Sequence, residues 1–284
     1  MKALTCIPIL LLGIFPHADA ASKQPLSDMD ALKLFNQASI LYEEASQLSS
    51  EESKMAMNLY REAAALYISI LDRGFQHPDI YYNLGNTHYK LYDLGKAILN
   101  YRRAQKFMPG DPDLRQNILS AKSKILDDEP DRSPPALLQT LLFWHYDSSL
   151  DLLAKLAFVA YLLFCVTLCL RIYFKSVLPR WVISLTFWPF IVLTASFAVR
   201  YHEANTVKMA VVVADSVSVR AGYSDREIER FPVHAGTELL VEEIKDITSD
   251  ERWLKIALDK DLRGWIRNNA VEIIKQPQSP PDAE

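Results

Sequence analysis

Two uncharged apolar runs sit in the middle of this chain, Leu156 to Leu170 and Trp181 to Val199. A helix of about 20 apolar residues crosses the hydrocarbon core of a bilayer. The second run is long enough as it stands. The first reaches that length if it begins near Leu150, which leaves Asp151 and Lys155 at its outer end, where a long side chain can reach the headgroups. The pattern therefore predicts transmembrane helices over 150–171 and 181–199. A buried helical hairpin of a soluble domain would show the same pattern, but two such runs in tandem are rare in soluble folds.

The link between the runs holds Arg171, Lys175 and Arg180 and no acid. Lys and Arg concentrate in short cytoplasmic loops, so the link is expected in the cytoplasm and both termini outside it. Tyr173 and Trp181 flank the link and suit an interface position. Pro189 falls inside the second run, where a modest kink is expected. The N-terminus carries the same message. Lys2 precedes an apolar core from Ala3 to Phe15, and Ala18-Asp19-Ala20 has the small-x-small form of a cleavage site. Residues 1–20 thus read as a secretory signal cut after Ala20. Of the three cysteines, Cys6 leaves with that signal. Cys165 and Cys169 lie four apart in the first run, where they read as small apolar packing groups. The exported segments contain no cysteine, so no disulfide framework and no thiol chemistry is expected there.

From Asp28 to Leu126 the pattern changes. Strand-like alternation is absent, and Ala, Leu, Tyr and Glu dominate. Gly74 and Pro78 interrupt the stretch once, Pro109-Gly110-Asp111-Pro112 a second time. A shift of 34 residues aligns Ala63 with Ala97, Tyr67 with Tyr101 and Ile70 with Ala104. Residues 78–111 read Tyr81-x2-Leu84-Gly85-x2-His88, then Ala97-x3-Tyr101-x2-Ala104, then Pro109, which resembles the tetratricopeptide repeat, with His88 where an aromatic is usual. Gly85 and Ala97 would let two antiparallel helices approach, Tyr101 and Ala104 would fill the seam, and Pro109 would end the second helix. An irregular first unit is expected over Asp28 to Gln47 and Glu51 to Leu71, and a single capping helix from Pro112 to about Leu126.

The resemblance implies a concave groove lined by the first helix of each pair: Tyr82, Asn83, Asn86, Tyr89, Lys90, Gln116 and Asn117. Asn86 and Asn117 match asparagines with which some members grip a peptide's terminal carboxylate. Tyr82 stands where those members carry a lysine, and no basic pair follows. Asparagine side chains can still hold a peptide backbone in both directions.

Asp127-Asp128-Glu129-Pro130-Asp131, then Ser133-Pro134-Pro135, reads as a charged, proline-punctuated linker. Ala136 to Tyr146 is apolar and fits a short helix at the membrane surface, so 127–149 is read as linker plus interfacial helix, with His145 a polar group at the interface. Over 207–275, Val, Ile and Thr alternate with polar residues in short runs. Five strands are expected, at Met209–Val213, Val217–Arg220, Glu238–Ile244, Trp253–Ala257 and Gly264–Ile266, enough for a small barrel. Ala214-x2-Val217-x-Val219-Arg220-x-Gly222, Gly236-Thr237, Trp253-x2-Ile256 and Gly264-Trp265-Ile266 resemble bacterial SH3-like domains. Gly222 and Gly236 would serve tight turns, Trp253 and Trp265 the core. Residues 276–284 have the composition of a disordered tail.

Charge excludes one class of partner. Residues 21–135 hold 14 bases and 16 acids, and residues 207–284 hold 11 and 15. Neither exported part is basic, so nucleic acid is not expected as a partner. Of the histidines outside the signal, His77, His88, His145, His202 and His234, none has acidic or cysteine neighbours at metal-ligand spacing. No phosphate loop or nucleophile elbow is present. No enzyme activity, metal, cofactor or small-molecule substrate is expected.

The order as a whole is signal, short tetratricopeptide solenoid, two transmembrane helices and a small all-β SH3-like barrel. It resembles the tetratricopeptide/SH3 proteins encoded in bacterial aerotolerance (Bat) operons, most specifically from Tyr81 to Asn117. The resemblance implies a two-pass protein of the bacterial inner membrane with both termini periplasmic. It also implies a scaffold in an envelope complex linked to oxygen or stress tolerance. Its expected partners are membrane proteins of the same operon with von Willebrand A-type domains, beside a MoxR-type ATPase. The alternative reading is a wall-anchoring module whose barrel binds peptidoglycan.

Overall fold

A computed structural model describes residues 26–173, 179–248 and 251–274. The expected signal, the middle of the basic link with Lys175, and the tail lie outside the described residues. Nine helices and a seven-stranded antiparallel sheet are present among them.

Five helices come first: α1 (Asp28–Gln47), α2 (Ser53–Asp72), α3 (Pro78–Lys90), α4 (Leu94–Phe107) and α5 (Pro112–Lys122). Their starts are written in the sequence. Ser27, Asp93 and Asp111 each accept a backbone N–H in the first turn of the helix they precede. Pro78 and Pro112 occupy first-turn positions, where a missing N–H costs nothing. The α1–α2 seam rests on small residues, Ala38 and Ala63, both fully buried. Beside them the Phe35 and Tyr67 rings pack edge to face at 5.7 Å. In the next hairpin a Cβ added at Gly85 would stand 2.5 Å from Cδ1 of Tyr101, so α3 reaches α4 only because this position has no side chain. The last helix stops at Lys122, four residues short of the expected Leu126, and α2 is preceded by a 3-10 turn at Ser50–Glu52.

The apolar segment after the linker forms two short helices, α6 (Ala136–Leu141) and α7 (Phe143–Tyr146), broken at Leu142. Two long helices follow, α8 (Leu150–Tyr173) and α9 (Arg180–Thr206), both long and apolar enough to cross a membrane. They extend beyond the uncharged runs, α8 by two residues past Arg171 and α9 through Arg200 to Thr206. α9 passes Pro189 without interruption. The pair packs through aromatic rings: Phe164 lies 5.5 Å from Phe187 and stacks on Phe190 at 5.8 Å. Most of their remaining surface is exposed, as lipid-facing helices require and as buried core helices do not.

Val207 alone separates α9 from the sheet. The strands are β1 (Lys208–Val212), β2 (Ser216–Arg220), β3 (Glu229–His234), β4 (Glu238–Asp246), β5 (Arg252–Ala257), β6 (Arg263–Arg267) and β7 (Val271–Ile273), in the order β3-β2-β6-β5-β4-β1-β7. Two of the seven, β3 and β7, fall outside the five expected. β3 contains Pro232, which a sheet tolerates at an edge, and β3 is an edge strand. β7 is only three residues long. The core is aliphatic, built on Val219, Val233, Leu239, Leu254, Ile256 and Ile266. Trp253 is buried, but Trp265 is only partly covered. Gly236 takes φ +93°, a conformation that side chains disfavour; Gly222 does not take a positive φ.

The helical array and the sheet are docked, a feature the sequence pattern did not predict. Val211 and Ile274 belong to the same buried cluster as Ile98, Leu99, Tyr101 and Leu114. Charged groups surround this seam. Arg102 meets Glu238, and Lys122 Nζ lies 2.8 Å from Glu238 and 2.6 Å from Glu129. The Lys106 ammonium donates to the Ile274 carbonyl at 2.8 Å. The segment read as a charged, proline-punctuated linker lies as a strap on the sheet. Asp127 accepts from the His234 backbone N–H and the Thr237 hydroxyl, and the Arg132 guanidinium donates to the Leu258 carbonyl at 2.5 Å.

Candidate partner-binding groove

The array has a cavity of about 320 Å³ on the face where α1, α3 and α5 come together, lined by Tyr42, Asn86, Tyr89, Lys90, Tyr101 and Asn117, with Ser120 at its edge. Tyr42 comes from α1 and Asn117 from α5, so the first irregular hairpin and the capping helix close opposite sides. Asn86 is its hub. Its Oδ1 accepts from the Tyr101 hydroxyl at 2.8 Å and from Asn117 Nδ2 at 3.1 Å. The same Nδ2 donates to the Tyr82 hydroxyl at 3.0 Å. These bonds fix the orientation of both carboxamides, since each named atom can play only one role. They leave Asn86 Nδ2 as donor and Asn117 Oδ1 as acceptor, one of each, the complement of a peptide unit.

The charge on this face is cationic. Lys90 is exposed at the rim, and Lys124 Nζ sits 4.3 Å above the centre of the Tyr89 ring. Burial pushes the Tyr42 hydroxyl up to about 12 and raises that of Tyr101 as well. The floor is therefore neutral phenol and carboxamide at any physiological pH.

Four of the seven residues expected in the groove line this cavity: Asn86, Tyr89, Lys90 and Asn117. Tyr82 stands behind them, bonded to Asn117. Asn83 is half-buried and Gln116 is exposed; neither lines the cavity. Tyr42 and Tyr101 line it unexpectedly. Tyr101 fills the helix seam with its ring, as its spacing predicted, and its hydroxyl emerges on the groove side.

A second cavity of about 480 Å³ lies on the opposite side, between α2 and α4, next to Glu272 of β7. His88 is buried at its wall, with Nδ1 3.5 Å from Asp93 Oδ2 and without a hydrogen-bond partner. Burial alone would raise the Asp93 carboxyl, but the neighbouring His88 and the hydrogen bond and charge of Lys96 outweigh it and hold Asp93 at about 2. His234 likewise finds an acid through the fold rather than the sequence: Nδ1 lies 2.7 Å from Asp127 Oδ1. Each is a single pair, and among the described residues no group of three or more His, Cys, Asp or Glu side chains is placed to hold a metal ion.

No protein-family model, no curated protein and no solved structure matches this chain.

Proposed function

We propose that this protein is a non-catalytic scaffold of the bacterial inner membrane. Its helical array, of tetratricopeptide type, captures a segment of a partner protein in the Asn86–Asn117 groove. The observation that carries this reading is the pre-set pair of carboxamides on a floor of neutral phenols, with one donor and one acceptor still open. An extended peptide offers the matching acceptor and donor in each unit, and a groove held by its own hydrogen bonds loses little entropy on binding. The close seat of Gly85 on Tyr101 supports the repeat assignment.

The docking of array and sheet supports a two-pass layout with both on one side. The array precedes α8 and the sheet follows α9, so their shared core requires an even number of crossings between them. With the basic link in the cytoplasm, both lie in the periplasm. The partners in this reading are membrane proteins of an envelope complex serving aerotolerance or stress response, those with von Willebrand A-type domains first among them.

The test is crosslinking and capture from membranes with the full-length protein, unchanged and as Asn86→Ala/Asn117→Ala. Loss of the captured membrane proteins from the double variant is the expected result. Capture unchanged by the double substitution would remove the groove from the proposal.

One observation favours a second reading, peptidoglycan binding by an SH3-like sheet. Tyr223 is exposed, packs edge to face on Trp265 at 5.5 Å and carries Lys245 Nζ 3.4 Å from its ring centre. Under that reading, purified wall sacculi retain the detergent-solubilised protein and release its Tyr223→Ala variant.

A further inference from the structure

The elbow between the array and the first long helix has the wrong surface for water. Leu137, Leu138 and Leu141 of α6 are 70, 42 and 58% exposed, and Phe143 of α7 is 60% exposed. No Asp, Glu, Lys or Arg lies between Ala136 and Tyr146. The polar side chains of α6 are turned inward on the segment's own backbone. Gln139 Nε2 donates to the Pro134 carbonyl at 2.9 Å, and the Thr140 hydroxyl donates to that of Ala136 at 3.0 Å. An apolar patch of this kind on a soluble body marks a contact surface.

Position on the chain selects the occupant. Four residues after Tyr146 the chain enters α8, so the patch is continuous with the exposed apolar surface of a helix built to cross hydrocarbon. The elbow is also fastened to both of its neighbours. Arg115 of α5 lies 3.2 Å from Asp147. A Cβ at Gly110 would stand 2.9 Å from the Asp147 carbonyl oxygen, so the turn before α5 rests directly on the elbow. The Arg200 guanidinium of α9 donates to the Ser148 carbonyl at 3.5 Å.

We propose that Ala136–Tyr146 is a lipid-seated foot: Leu137, Leu138, Leu141 and Phe143 enter the headgroup–acyl boundary of the leaflet on the array's side, and the Asp147 contacts fix the array at a set height above it. Segments of this type bury their apolar face roughly 5–10 Å into that boundary. The foot carries no Lys or Arg, and burial, with Arg200 nearby, favours the neutral form of its one histidine, His145, so its attachment is apolar and independent of anionic lipid and of salt. The inference rests on the reading of α8 and α9 as membrane spans.

The experiment uses the full-length protein with Cys6→Ser, Cys165→Ser and Cys169→Ser, reconstituted in phosphatidylcholine vesicles. Single spin labels are placed by Leu137→Cys, Leu141→Cys, Val166→Cys in α8 and Ile40→Cys on the exposed face of α1. Collision with oxygen and with a water-soluble nickel chelate is measured for each. Labels at 137 and 141 should favour oxygen over nickel, at a depth shallower than 166, while 40 favours nickel. The pattern should persist at high salt and with anionic lipid added. If 166 reads as lipid and 137 and 141 read as water, or as shielded from both reagents by protein, the foot is wrong and the spans stand. If 166 itself reads as water, the spans are wrong and the foot falls with them.

Discussion

Arg102 and Glu238 stand 136 positions apart in the chain and meet in a two-pronged contact, Nη2 lying 2.9 Å from Oε2 while Nε donates to Oε1. Lys122 shares the same carboxylate, and Glu129 returns the second negative charge. Two cations and two anions balance at the seam between array and sheet. The contact turns two segments separated by both long helices into one body.

Removing Glu238 leaves Arg102 and Lys122 facing a single acid in a largely dry seam. Glu238→Ala should cost about 3 kcal/mol, the low end for breaking a buried pair because Arg102 keeps a quarter of its side chain exposed. Chemical denaturation of the detergent-solubilised protein measures it. A change within experimental error would mean that the seam is not closed by this contact.

The seam should also weaken in acid. Burial would raise the Glu238 carboxyl, but Arg102 and Lys122 outweigh it and hold it at about 2, below its usual 4.5. A carboxylate depressed in the folded state contributes stability that is fully present above its unfolded pKa and is lost as pH falls through its folded one. The window is therefore about pH 4.5 down to 2, and the contribution about 3 kcal/mol. Asp127, lowered by Thr237 and His234 against the opposing effect of burial, acts in the same direction. Stability measured across this range should fall less steeply in Glu238→Gln than in the unchanged protein.

Gly85→Ala places a methyl group where the Tyr101 ring stands. The ring belongs to a closed seam, so the expected loss is about 1–3 kcal/mol, with Gly85→Trp disordering the array. Helical circular dichroism and the melting temperature report both; unchanged values would refute this packing of α3 on α4.

Tyr101→Phe keeps the seam and deletes one donor to Asn86. A hydrogen bond of this kind contributes about 1 kcal/mol. The larger effect is expected in the groove, where Asn86 is then held by Asn117 alone. Partner capture should weaken while the melting temperature drops by only a few degrees.

A reporter active only in the cytosol, fused after Glu284, should stay silent, and one inserted in the basic link should be active. The reverse would invert the layout.

Local chemistry made much of the fold legible in the sequence. The charge-free runs marked α8 and α9, and the Asp111-Pro112 pair marked the start of α5, because these signals act within one helical turn. β3 was hidden because Pro232 reads as a break, and only its place at the sheet edge makes that residue acceptable. The strap was hidden for a different reason: Asp127, Glu129 and Arg132 have the composition of a charged linker, and only the fold supplies His234, Lys122 and the Leu258 carbonyl as their partners. In the groove, Asn86 and Asn117 were expected only from the resemblance to tetratricopeptide repeats, whereas Tyr42 belongs to a hairpin too irregular to align, and Tyr101 shows its ring to the seam and its hydroxyl to the cavity.

The single residue between α9 and β1 leaves almost no slack for independent rotation. A helix of fixed length leans further from the normal in a thin bilayer than in a thick one. In the proposed two-pass layout, with Val207 as the single residue between helix and strand, that lean is handed to the sheet, and through Arg102 and Glu238 to the array it carries. Lipid composition would then choose the bearing on which the cavity opens.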